Sequence, residues 1–321
     1  MNSTEYNQSY LFCNNTIVIP IQSWFILINI CLILFTVSTI ILSIVFILII
    51  VLDKICHTTP MMLVANTCIW TCICACARLG MVLFTLQNDL KQVEYEDSLC
   101  VFRAYMTYGS YWAFNYSFFL EALYRHILAV YPTRLFWQSL RIQILFICLF
   151  WIFCLLVPTP FLYPGAIIYD VNDQICHLPV AFSIFVAYAL IVGFSIPVSL
   201  IIYLYIRLVR HIKQISKNVT TSNNQVRAQR ELKMIRRIVI TVTILIVISF
   251  SHILVWFMGA LNIEMEYAHR FAFICFDSAI LSAMIALFYF TDPLRESIMK
   301  RINGGFNLVR PSTTINNRNP I

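Results

Sequence analysis

Cys100 to Pro132 reads CVFRAYMTYGSYWAFNYSFFLEALYRHILAVYP. Most of this stretch is apolar or aromatic, and it is longer than the roughly 20 residues a helix needs to cross a bilayer. It opens on a cysteine and closes on Pro132, which cannot continue a helix. Near its end stand Glu121 and Arg125, four apart and so on one helical face. Ionisable groups inside an apolar span are costly and mark function by default.

Working outward, the same character recurs. Of 321 residues, 60% are hydrophobic and 12% charged, against about 25% charged in soluble domains. Seven apolar runs are readable: Trp24–Leu52, Pro60–Leu86, Cys100–Tyr131, Leu140–Tyr163, Ala181–Val209, Met234–Leu261 and Ala268–Thr291. Each has the length of a spanning helix. The alternating segments of about 10 residues that build a membrane β-barrel are not seen. The expected fold class is therefore an all-α membrane protein, a seven-transmembrane helix bundle.

The net charge of +7 lies in short segments between the runs. It reads as a topology signal, with lipid headgroups as the simplest contact and nucleic acid excluded as a partner. Basic residues crowd the segment from Arg207 to Arg237 and the tail beyond Arg295, whereas Asp89, Glu94, Asp170, Asp173 and Glu264 fall on the other side. The positive-inside rule then predicts a cytoplasmic C-terminus and, with seven spans, an outside N-terminus at the plasma membrane. Asn2, Asn7 and Asn14 each begin a glycosylation sequon and agree with that orientation. A sequon at Asn115 lies mid-span and is expected to be unused. Residues 1–22 are polar, with no apolar core of the signal-peptide kind, so the first span is expected to direct its own insertion. The division expected is a glycosylated N-terminus over 1–23, a seven-helix domain over 24–302 and a cytoplasmic tail over 303–321.

Twelve cysteines are present, most of them within apolar runs. Cys100 and Cys176 share the outer, oxidising side, where disulfides persist, and a bridge between them is expected in preference to two free thiols. Cys13 and Cys275 are also outward and form a second bridge or remain free. Cys68, Cys72 and Cys76 line one helix face without a histidine or acid, which favours packing over metal binding.

With these residues in place, the chain resembles a divergent rhodopsin-like (class A) G-protein-coupled receptor. That family spaces a disulfide cysteine, an arginine and a proline at the intervals separating Cys100, Arg125 and Pro132. Here the acid of its Asp/Glu-Arg-Tyr triplet is replaced by Tyr124, and Glu121 stands one turn earlier. Trp151, Pro197 with Tyr205, Glu231 and Asp292–Pro293 fit further landmarks of the fourth to seventh helices. Glu296 replaces the last motif's Tyr, Ser249-Phe250-Ser251 the sixth helix's Trp-x-Pro, and Thr71 lies near the position of the second helix's Asp.

The resemblance implies an extracellular ligand and a heterotrimeric G protein as partners. It also implies a switch in which Arg125, held by Glu121 or Glu231, is released toward Tyr205. The ligand pocket is expected around Thr107, Tyr111, His252 and Trp256. Arg78 and Asp277 are expected nearby, either paired with each other or touching an ionic ligand. Thr107 stands where amine receptors of the family carry an Asp, which argues against a monoamine. The seventh run has no lysine, so a retinal Schiff base is excluded and no cofactor is implied. A receptor that no longer signals, and a transporter or channel, are the competing readings. Few polar residues lie near the midplane and no internal repeat is seen, which weakens the transporter. Hydrolase and metalloprotease motifs are also missing, which argues against an enzyme.

Overall fold

The fold is described from a computed structural model. The structure describes residues 23–91, 98–131, 135–171, 173–179, 183–218 and 267–306. Within 240–261 it describes residues 240, 243, 246, 250, 251, 253–259 and 261. The sequons at Asn2, Asn7 and Asn14, together with Cys13, Glu231 and His252, lie outside these residues.

The chain forms α1 (Ser23–Leu52), α2 (Thr59–Lys91), α3 (Cys100–Val130) and α4 (Leu140–Leu156). A hairpin follows, with β1 (Ile168–Asp170) antiparallel to β2 (Ile175–His177). The fifth helix, α5, is built from Ile184–Tyr188, a wider π-type segment Ala189–Ser195, and Ile196–Asn218. The sixth, α6, is helical at every described position between 240 and 259. Then come α7 (Ala268–Phe290) and α8 (Asp292–Phe306).

Five of these helices, α1, α2, α4, α5 and α7, are long and apolar enough to cross a membrane. The chain is a multi-pass membrane protein. Long enough but less apolar, α3 is not among the five. Its polar residues are turned inward: Thr107, Ser110, Asn115, Tyr116, Ser117, Glu121 and Tyr124 are all buried. Lipid-facing helices show the converse pattern. Along α4 only Gln143, Phe150 and Cys154 are buried, while Leu145, Leu149, Ile152 and Leu156 are exposed.

The core runs the length of α3. Toward the Cys100 end, Trp112 packs with Phe161, Val186, Trp256 and Phe273. Toward the Arg125 end, Phe114, Phe118 and Ala122 pack with Ile201, Leu204 and Phe276. Between α2 and α4, the Trp151 indole N–H donates to Asn66 Oδ1 at 2.7 Å, and the rings of Trp70 and Trp151 meet edge to face.

The contact between α3 and α5 explains a proline. Pro197 has no N–H to give the carbonyl of Gly193 four residues earlier. Asn115 Nδ2 donates to that carbonyl at 3.2 Å, and the Tyr116 hydroxyl donates to Val192 O at 2.9 Å. A β-carbon on Gly193 would lie 1.9 Å from Trp112 Nε1, so only glycine permits this approach of the two helices.

The Asp292–Pro293 pair differs from expectation. The seventh helix stops at Phe290, and Asp292–Pro293 opens α8 instead of closing α7. Proline suits a first turn, where its missing N–H would have no partner. Asp292 is half exposed and pairs with Arg295 in its own turn at 3.2 Å.

Candidate functional site

At one end of the bundle, Cys176 of β2 is bridged to Cys100 at the start of α3, with Cα atoms 5.6 Å apart. This is the expected pairing. Cys275 is a free, exposed thiol. The bridge draws the hairpin over the bundle. Leu178, just past β2, is fully buried, and its N–H donates to the Tyr108 hydroxyl at 3.3 Å.

A small cleft, with a cavity volume of about 50 Å³, lies between α3, α5, α6 and α7. Thr107, Tyr111 and Trp112 form its α3 wall, Leu190 and Phe194 the α5 wall, and Trp256, Phe273 and Phe276 the far side. Of the residues expected around a pocket, Thr107, Tyr111 and Trp256 are thus brought together. The lining is dominated by aromatic and aliphatic side chains, with no charged residue among those described.

Arg78 and Asp277 stand behind this wall. Arg78 Nε and Nη2 donate to the two Asp277 oxygens at 3.3 and 3.0 Å, and both residues are buried. The guanidinium carbon lies 3.7 Å from the centre of the Phe273 ring, whose own side chain lines the cleft. The two charges are spent on each other. Neither reaches the cleft, because the Phe273 ring intervenes.

From the cleft an aromatic chain descends α3. Tyr111 meets Phe276 at 4.8 Å and Phe114 at 6.5 Å, and Phe114 meets Phe118 at 4.9 Å. One turn below Phe118 is Glu121. Its Oε2 accepts from Arg125 Nη2 at 3.2 Å, and its Oε1 accepts from Thr67 Oγ1 at 3.3 Å. Both members of the pair are about nine-tenths buried. Arg125 Nη1 is buried and makes no hydrogen bond. The expected stripe, Thr107 to Arg125, is therefore one continuous face joining the cleft to an ion pair at the other end. Tyr205 is buried in the cluster that also holds Phe118 and Ala122.

A second polar centre escaped the reading of the sequence. Arg270 of α7 donates through Nη1 and Nη2 to the two oxygens of Asp89 of α2, at 2.7 and 3.0 Å. Asn29 of α1 donates to Asp89 Oδ2 at 2.6 Å, and the Phe25 ring lies under the guanidinium. Beside them Asp173, in the hairpin's turn, accepts from the backbone N–H of His269 at 3.2 Å. Burial, reinforced by the neighbouring Asp170 charge, pushes the Asp173 carboxyl up to about 6. Arg270 stands at the head of an apolar run, a local signal that pointed to it. Its partner Asp89 lies 181 positions away, beyond any local pattern.

No family model matches the chain, and no curated protein sequence does either. Among solved structures, the crystal structure of squid rhodopsin is similar with a TM-score of 0.73 at 13% identity, covering 92% of this chain and 89% of that one. At that identity the likeness speaks for the fold. The chain has the rhodopsin-like helical-bundle fold, in a divergent form.

Proposed function

We propose that this protein is a G-protein-coupled receptor at the plasma membrane, with the disulfide end outside and the Arg125 end facing the cytoplasm. One observation carries the reading. A single face of α3 joins an aromatic cleft at one end to a buried ion pair at the other.

The cleft suits a small, largely apolar ligand. It offers aromatic surface and the hydroxyls of Thr107 and Tyr111, and among its described lining residues no counter-ion for a charged amine. The small volume of the cleft disfavours a large peptide. Entry of such a ligand displaces Tyr111 and Phe276, which are in contact with each other and with the rest of the chain descending to Glu121. Glu121 holds Arg125 by one nitrogen and leaves Nη1 available. A state in which Arg125 leaves Glu121 for a G protein is then a matter of differential binding by the ligand, as any two-state switch requires.

The basic segment between α5 and α6, and the tail, meet the G protein and anionic lipid on this reading. Residues 1–23 form the glycosylated outer segment and 303–321 the cytoplasmic tail.

The test is a screen of small apolar compounds against cells expressing the full chain, read out through second messengers. Activating compounds are expected to lose their effect in Arg125→Ala at unchanged surface expression. Signalling that survives Arg125→Ala unaltered would reject the switch.

A further inference from the structure

We propose that the hairpin at the disulfide end holds a divalent transition-metal ion of the zinc type, bound by Asp170, Asp173 and the Nε2 of His177. The three side chains each offer a ligand atom, and these atoms all lie within 4.8 Å of one another. Register explains how they meet. Asp170 ends β1 opposite Ile175, and His177 sits two residues further along β2 on the same face, a diagonal pair. Asp173 comes from the turn between the strands.

Two observations point to a cation at this place. The first is the tautomer of His177. Its Nδ1 lies 2.5 Å from the carbonyl of Leu178, which can only accept, so Nδ1 carries the proton. In the neutral ring Nε2 is then a bare lone pair, and it faces Asp170 Oδ2 at 3.3 Å. Two acceptors at that distance repel unless a cation lies between them. A histidine fixed through a backbone carbonyl, with its other nitrogen toward a carboxylate, is the arrangement metal-binding imidazoles take. The separation is also about the edge of a tetrahedron with metal–ligand bonds of about 2.0 Å.

The second is Asp173. It is 2% exposed, and one of its oxygens is held by the backbone N–H of His269. The other, Oδ1, makes no hydrogen bond. Arg270 Nε forms an ion pair with it at 3.7 Å without a hydrogen bond, while the other two nitrogens of that guanidinium are committed to Asp89. Oxygen and imidazole donors in this number suit zinc, with a fourth position left for water or another ligand. A proton on Nε2 is the competing occupant. With that proton His177 alone would pair with Asp170 at 3.3 Å, a case that chelator-treated protein separates from a metal. Bound metal would tie the hairpin's two strands and its turn together beside the N-terminus of α7.

The test uses the full chain purified in nanodiscs, with free thiols alkylated so that the exposed cysteines take no metal. Zn²⁺ is titrated at pH 7.5 by calorimetry and by thermal unfolding. One ion per chain and a raised unfolding midpoint are expected, and Mg²⁺ should reproduce neither. Asp170→Asn and His177→Gln should each weaken Zn²⁺ binding at least tenfold, as loss of one ligand in three implies. Asp170, the most exposed of the three, serves if His177→Gln fails to fold. Overturning results would be Zn²⁺ binding that both folded variants retain, or no Zn²⁺ response. Stabilisation by acidification alone in chelator-treated protein, with none from Zn²⁺, would assign the site to a proton and reject the metal. None of these readouts needs signalling, so failure here leaves the receptor reading intact.

Discussion

The side-chain amide of Asn115 supplies the hydrogen bond that Pro197 withholds from Gly193, donating to the Gly193 carbonyl from the neighbouring helix at 3.2 Å. An unpaired carbonyl at membrane depth is expensive because no water reaches it. Asn115 therefore makes the proline of α5 tolerable. Replacing it with Leu should destabilise the bundle by about 1–3 kcal/mol, the cost of a buried acceptor left unsatisfied. Thermal unfolding of the purified protein checks this. An Asn115→Leu variant as stable as wild type would mean another donor takes over.

Glu121 is the single acidic partner of Arg125 among the described residues. Glu121→Gln keeps the size and the acceptor for Thr67 but removes the charge. On the receptor reading, its basal second-messenger output should rise severalfold, since the pair holds the resting state. Basal output at or below wild type, with normal surface expression, would place the resting restraint elsewhere.

The Asp89–Arg270 pair joins α1, α2 and α7. Asp89→Ala leaves a buried guanidinium without its bidentate partner, and breaking such a pair costs about 3–5 kcal/mol. A double replacement of Asp89 and Arg270 by Leu and Met should recover much of that loss, because a well-packed apolar pair needs no desolvation of charge. Unfolding midpoints of the single and double variants make the comparison.

Asp53, in the turn after α1, accepts from the Ser297 hydroxyl of α8 and from the Ile55 N–H. These bonds, the Ser297 one foremost, hold its carboxyl below the ordinary value of 3.8. Its contribution is therefore fully present above that value and is lost as pH falls through the lower folded one. Spin labels on the first turn and on α8 should separate on acidification below about pH 4. Ser297→Ala should show the larger separation already at pH 7.

Much of this was legible in the sequence, for reasons that differ by element. Helix number and type followed from unbroken apolar runs, and the ends of α3 from Cys100 and Pro132. The stripe from Thr107 to Arg125 followed from helical spacing, which needs no knowledge of neighbours. What stayed hidden was pairing across the chain. For Arg78 and Asp277 the sequence left open whether they pair or meet a ligand, and only the packing of α2 against α7 decides for the pair. Asn115 read as an unused sequon, because its role depends on Gly193 lying opposite. His177 carried no signal, since its meaning rests on a hairpin register. Asp292–Pro293 misled because a proline that ends one helix also begins the next, and two letters do not distinguish the cases.

The polarity of α3 bears on how the chain is made. The translocation channel releases segments sideways into lipid according to their own affinity for it, and α3 is less apolar than the five helices that pass by composition alone. The hydroxyls of Tyr105 and Tyr116 and the amide of Asn115 are matched only once α4 and α5 stand beside it. During synthesis α3 is thus expected to linger at the channel until its companions emerge, leaving as part of a group. Substitutions in α4 or α5 that never touch the cleft should then lower yield by stranding α3 during biogenesis.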